Sequence, residues 1–144
     1  MRIYADTSFV TALYLTDNLT PQASRYMAQT KRPLLLTEIQ NAEMRNAFRL
    51  RVAQKRSSSE EVFRALVHYE CDIGEDIFEF VSMDWSRTFR AFEQISQKFT
   101  EQGGHRFADI LHVASAVILE ARLFLTFDQR QGRLAKAMGL KTPL

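Results

Sequence analysis

Four carboxylates stand at positions where a charge calls for an explanation: Asp6, Glu43, Asp109 and Asp128. Asp6 closes the short run Arg2 to Ala5, which reads as a strand, and leads through Thr7 and Ser8 into the helical run FVTALYL. Asp128 follows LFLTF, Leu123 to Phe127, whose β-branched and aromatic character suits a buried strand. In open α/β sheets the carboxyl ends of the strands border the ligand crevice. Two strands that each end in an aspartate before a helix therefore predict two carboxylates on one sheet edge. Asp109 lies in Phe107 to Ala121, a run apolar on nearly every side of an ideal helix. Such a helix is buried, which predicts that Asp109 enters or borders the interior, and the pair Gly103-Gly104 just upstream permits a tight turn into it.

Glu43 is placed by periodicity. On a helix starting after Thr37, with Ile39 set at 0° and about 100° per residue, Leu50 falls at about 20°, Glu43 at about 40°, Ala47 at about 80° and Met44 at about 140°. This predicts Glu43 in the middle of an apolar arc, where an ionised carboxylate is costly unless paired, hydrogen-bonded or bound to a metal. If the four acids converge, their mutual repulsion raises their pKa values unless a cation intervenes. A hard divalent ion, Mg²⁺ or Mn²⁺, suits an all-oxygen donor set. Such an ion can activate water and stabilise a pentavalent phosphorus centre, which is nuclease chemistry. Plainer roles exist beside this one. Asp6 and Asp128 each precede a helix and suit N-caps, Asp109 in a first turn complements the helix dipole, and Glu43 could reach water at a bend.

The elements that must position these acids follow in order. After the first strand and helix, Thr20-Pro21 reads as a cap followed by proline at the first helical position, with a helix to about Thr30. A strand is expected over Pro33 to Leu36. Thr37 with Gln40 and Ser58 with Glu61 both have capping-box spacing, opening helices to about Lys55 and about Tyr69 on either side of the polar break Ser57 to Ser59. A strand near Phe78 to Ser82 precedes a long helix capped by Asp84 and running to about Glu101. Gly139 is placed to end the last helix, and Lys141 to Leu144 forms an edge strand or a tail. Strands alternating with helices imply an α/β fold, a three-layer α/β/α sandwich with a mostly parallel central sheet covered on both faces. Residues 1–144 read as a single unit with no repeat, linker or low-complexity tract.

Composition agrees with an ordinary globular chain: 46% hydrophobic, 25% charged, 144 residues, enough for a real core. A net charge of +2 is too small to indicate nucleic-acid binding by itself. The lone Cys71 excludes an internal disulfide and suits a reducing compartment. No apolar run is long enough to span a bilayer, and Met1-Arg2 leads straight into a strand, so a soluble cytoplasmic protein is expected.

Four motifs taken together, DTS at Asp6 to Ser8, the glutamate of TEIQNAEMRNAF, RFADILHVASA around Asp109 and LTFDQR around Asp128, resemble the PIN domain, and especially the VapC-type toxins of toxin/antitoxin pairs. The resemblance covers essentially the whole chain, in order. It implies that Asp6, Glu43 and Asp109 form the core of an acidic metal site with Asp128 as fourth acid, and that Ser8 holds a metal-bound water or an acid. It further implies an endoribonuclease dependent on Mg²⁺, with Mn²⁺ as substitute, an RNA substrate, a cognate antitoxin protein and a homodimer. In that reading a metal-activated water attacks the phosphodiester in line, leaving a 5′ phosphate and a 3′ hydroxyl. One rival is the same domain as a housekeeping RNA-processing or structure-specific DNA nuclease. Another, of a different class, is a non-catalytic module whose acidic groove takes up a basic peptide.

Among the bases, Arg106, three residues before Asp109, is placed to reach a substrate phosphate or to pair with a neighbouring acid, and Arg130 is a weaker version of the same idea. Arg45, Arg49 and Arg56 project together near 240° to 280° on the Glu43 helix (about 100° per residue), which favours a solvated face over an RNA contact. His112, within the apolar helix, reads as a hydrogen-bonded core histidine. No histidine cluster suggests zinc and no glycine-rich loop suggests a nucleotide site. The aromatic-rich helices around Phe48, Phe63, Tyr69, Phe89 and Phe92 offer apolar surface for a dimer.

Overall fold

In a computed structural model that describes residues 1–144, eleven elements follow one another. They are β1 (Ile3–Ala5), α1 (Thr7–Tyr14), α2 (Thr20–Gln29), β2 (Leu34–Leu36), α3 (Glu38–Ala53), α4 (Ser59–Gly74), β3 (Phe78–Phe80), α5 (Trp85–Gly103), α6 (Phe107–Ile118), β4 (Leu123–Leu125) and α7 (Gln129–Ala137). The four strands are ordered β3-β2-β1-β4 in a parallel sheet, and the fold class is the expected α/β/α sandwich. Contacts group the chain into two units, one of Met1–Asp6 with Ser82–Leu144 and one of Thr7–Val81.

In the first unit β1 pairs with β4 in parallel, Ile3 with Leu123, Tyr4 with Phe124 and Ala5 with Leu125. α6 buries every residue from Ile110 to Ala116, as its all-round apolar sequence predicts, whereas Phe107 at its start is 62% exposed. Tyr4 stacks on Phe124 with ring centroids 5.5 Å apart. Its hydroxyl meets His112 Nδ1 at 2.9 Å, so that histidine is a bonded core residue. Asp84 caps α5 by accepting from the Arg87 amide at 3.0 Å. α5 ends on Gly104 at φ 64°, the left-handed region that glycine enters without strain. A Cβ on Gly103 would lie 2.4 Å from His105 Nε2, so both glycines serve the turn between α5 and α6. α7 closes with a Schellman arrangement around Gly139 (φ 85°): the Leu140 amide donates to Ala135 O and the Gly139 amide to Lys136 O, both at 3.0 Å. The following residues touch β4 through a single bridge, Lys141 to Leu123.

In the second unit β2 and β3 pair in parallel, Leu34 with Phe78 and Leu36 with Phe80. Both expected capping boxes form, Thr37 with Gln40 at the start of α3 and Ser58 with Glu61 at the start of α4. α4 runs past the expected end at Tyr69 to Gly74. Its inner face meets Tyr14, Phe48 and Phe78 through Tyr69, whose ring lies 5.3 to 5.9 Å from each. Thr20 is not the cap of α2; Leu19 occupies that position without a side-chain bond. The local bonds instead run through Asp17, whose Oδ1 accepts from the Leu19 amide at 2.8 Å while its own amide donates to Thr20 Oγ1 at 3.0 Å.

Candidate active site

Asp6 follows β1 directly and is 2% exposed. Its amide continues the ladder by donating to Leu125 O at 3.0 Å. Its carboxylate Oδ2 accepts the Thr126 hydroxyl proton at 2.5 Å, the short distance of a charge-assisted bond. Thr126 stands just past β4 and is itself buried. Its Oγ1 accepts in turn from the Asp128 amide at 2.9 Å. Asp128 is the N-cap of α7 and accepts through Oδ1 from the Gln131 amide at 3.0 Å. The buried Gln131 side chain reaches back to Asp109 O at 3.4 Å. Asp109, half-buried at the border of the interior as expected, accepts from the Arg106 amide at 3.2 Å through Oδ2, which caps α6. Asp6 and Asp128 are thus joined through the Thr126 hydroxyl, and Gln131 joins Asp128 to the backbone of Asp109.

Asp109 and Asp128 line a common cavity of about 520 Å³, with Arg106, Gln129, Arg130 and Arg133 around it. The aspartate carboxylates are hard oxygen donors, with no histidine or thiolate beside them in the cavity, so the donor chemistry fits Mg²⁺ or Mn²⁺ and not zinc. As the side chains stand, no three of His, Cys, Asp or Glu form a ready group for a metal ion.

Glu43 and Ser8 belong to the second unit, Ser8 half-buried in the first turn of α1 and Glu43 half-buried on α3. The apolar arc expected around Glu43 does not hold. Ile39 and Leu50 are 38% and 49% exposed, and the buried face of α3 is Gln40, Met44, Phe48 and Arg51. The reason is that two polar residues there have partners: Gln40 Oε1 accepts from the Thr37 amide at 2.8 Å and Arg51 pairs with Asp17 at 3.6 Å. Glu43 accordingly sits on the flank of the buried face, between it and an exposed apolar edge. Arg45 is paired with Glu70 and lies over the Tyr69 ring, while Arg49 and Arg56 are exposed, in keeping with a solvated stripe.

Thr126 and Gln131, the links between the acids, went unassigned in the sequence. A hydroxyl two residues before Asp128, at the end of an otherwise apolar strand, was the available signal. Arg133 was not singled out either; it lies three residues beyond Arg130 on the same helix.

No family model matches the chain, and no curated protein matches it in sequence. Solved structures do match. VapC20 of Mycobacterium tuberculosis, a sarcin-ricin loop cleaving toxin, superposes with a TM-score of 0.60 over 96% of both chains at 18% identity. VapBC2 from Rickettsia felis, bound to a DNA fragment from their promoter, gives 0.63 over 99% of this chain and 97% of that one at 15% identity. The chain has the VapC fold. PAE2754 from Pyrobaculum aerophilum matches as well, with 0.57 over 99% of this chain and 90% of that one at 14% identity. At such identities the likeness is one of backbone, and the VapC fold extends over almost the full sequence.

Proposed function

We propose that this chain is a Mg²⁺- or Mn²⁺-dependent endoribonuclease and the toxin of a VapBC-type toxin/antitoxin pair. The observation that carries the reading is the linked set of acids: Asp109 and Asp128 on one cavity, with Asp128 joined through Thr126 to the buried Asp6. A fold shared over nearly the whole chain with VapC20, a cleaving toxin, and with VapBC2 supports it. Asp6, Asp109 and Asp128 would hold the ion. When bound, the ion supplies Lewis acidity toward water and toward the phosphate oxygens. Thr126 fixes the rotamer of Asp6 by donating a hydrogen bond from its hydroxyl to Oδ2. Asp128 holds the start of α7 so that its carboxylate stays at the cavity rim. Hydrolysis by this route leaves a 5′ phosphate and a 3′ hydroxyl. His112, whose Nδ1 is bonded to the Tyr4 hydroxyl in the core, takes no part as a base.

A protein antitoxin, a homodimer and a cytoplasmic setting complete the proposal. No helix is long and apolar enough to cross a membrane. Of the aromatic residues named for a dimer, Phe48 and Tyr69 are spent in the core of their unit, whereas Phe63 and Phe89 remain 68% and 46% exposed.

The deciding experiment incubates purified wild type and Asp109→Asn, free of any partner, with cellular RNA and Mn²⁺, then with EDTA. Discrete cuts by wild type alone, abolished by EDTA and ending in 5′ phosphates, are expected. Equal cutting by Asp109→Asn would remove that residue from the site, and no cutting with any divalent ion would defeat the enzymatic reading.

A further inference from the structure

The cavity that bears Asp109 and Asp128 is also bordered by three arginines, Arg106 from the start of α6 and Arg130 and Arg133 from α7. All three are exposed. Ion pairs join Arg45 with Glu70, Arg51 with Asp17, Arg64 with Glu60 and His68 with Asp72, and none of these uses the three cavity guanidiniums. Arginines beside two carboxylates usually pair with them. Here the acids are turned to helix amides, Asp109 to that of Arg106 and Asp128 to that of Gln131, and the positive set stands apart from the negative one. Arg130 is anchored, donating from Nη1 to Gly104 O at 3.2 Å, a carbonyl presented by the left-handed turn. One N–H of its five is used and the rest of the fork is available. Arg130 and Arg133, three apart on one helix, face the same way and repel each other slightly, a cost that an anion between them would remove.

We infer that Arg106, Arg130 and Arg133 form a phosphate grip that holds the RNA backbone beside the scissile bond, with α7 setting its direction. The inference rests on the ribonuclease reading above. An acidic set for a cation and a separate arginine set for non-bridging phosphate oxygens share one cavity, and a phosphodiester chain is the ligand that needs both. Planar forks suit phosphate bidentately, so lysine is a poor replacement.

The test uses the full chain carrying Arg106→Ala, Arg130→Ala or Arg133→Ala, and Arg49→Ala on α3 as a control of equal charge. Cleavage kinetics are measured on a single-stranded RNA oligonucleotide with Mn²⁺. Binding of the same RNA is followed by fluorescence anisotropy in an Asp6→Asn background across a salt series. Replacing each cavity arginine by alanine is expected to raise KM about fivefold, with the effect on KM rather than on kcat. Each should also reduce the slope of log affinity against log salt by about 0.7, the value of one phosphate contact on a single strand. Arg→Lys variants should restore part of the slope without the affinity, and Arg49→Ala should match wild type. If wild type cuts and Asp109→Asn does not, yet the cavity variants bind and cut like Arg49→Ala, the grip is refuted while the nuclease stands. A wild type that neither binds nor cuts RNA overturns both.

Discussion

Thr126 does two things with one oxygen. It donates to the Asp6 carboxylate and accepts from the Asp128 amide, so the hydroxyl fixes the spacing between the end of β1 and the start of α7. Thr126→Val keeps the shape and removes both bonds. Loss of such a support to a metal-holding carboxylate typically costs 10- to 100-fold in affinity or activity, and the variant should show a drop of about that size in kcat/KM. The unmet bond to a buried carboxylate should also lower stability by about 1 to 3 kcal/mol, read from urea melts. An unchanged rate with lowered stability would make Thr126 purely structural. The sequence conceals this role because threonine is also a good strand residue, and LFLTF reads as uninterrupted strand. Asp6, by contrast, stands out in the sequence as an acid directly after a buried strand, and the structure buries it.

At the scale of the element, capping and chemistry meet in Asp128, and substitution can separate them. Asparagine caps a helix as well as aspartate does, whereas alanine does not. Asp128→Asn should therefore melt within a degree or so of wild type, and Asp128→Ala should lose about 1 kcal/mol, roughly 3 to 4 °C for a chain of this size. Both should lose cleavage if the charge is required. Full activity in Asp128→Asn would reduce the residue to a cap. Caps are local, and this is why Thr37, Ser58 and Asp84 were all readable from spacing alone. The buried face of α3 was not readable, because it depends on remote partners. A helical wheel assigns Ile39 and Leu50 to the interior by type, yet the structure buries Gln40 and Arg51 instead, Gln40 bonded to Thr37 and Arg51 paired with Asp17. Asp109 borders the interior, as its place at the head of an all-round apolar run implies, because burial begins at the next residue, Ile110.

For the molecule as a whole, alternation of strand and helix was enough to give the sandwich, whereas grouping into two units depends on contacts that no local pattern encodes. Two conditions should move global stability in predictable directions. Mn²⁺ binding only the folded chain stabilises it by about 2.7 kcal/mol at a hundredfold excess over Kd. Tm should thus rise with Mn²⁺ in wild type and stay nearly flat in Asp109→Asn; parallel rises would place the ion elsewhere. Alkali acts the other way. Burial raises the pKa of Tyr14, helped by its bond to Asp72, and burial raises that of Tyr69 against the opposing pull of Arg45. Above about pH 10, where an unfolded tyrosine ionises, the folded chain keeps protons that the unfolded chain has lost. Stability is then full below pH 10 and falls as pH rises, by up to about 1.4 kcal/mol per pH unit for each tyrosine. Tyr14→Phe should flatten that limb of a Tm against pH curve, and an unaltered slope would discount it. The bridge at Lys141 has its own bearing on solubility. β4 is the last strand of the sheet, and an open strand edge is a template for pairing with other chains. Lys141 fills it by accepting from the Phe124 amide at 2.8 Å and donating to Arg122 O at 3.0 Å. A chain shortened after Leu140 would leave those two groups facing outward, and its first failing should be self-association rather than unfolding.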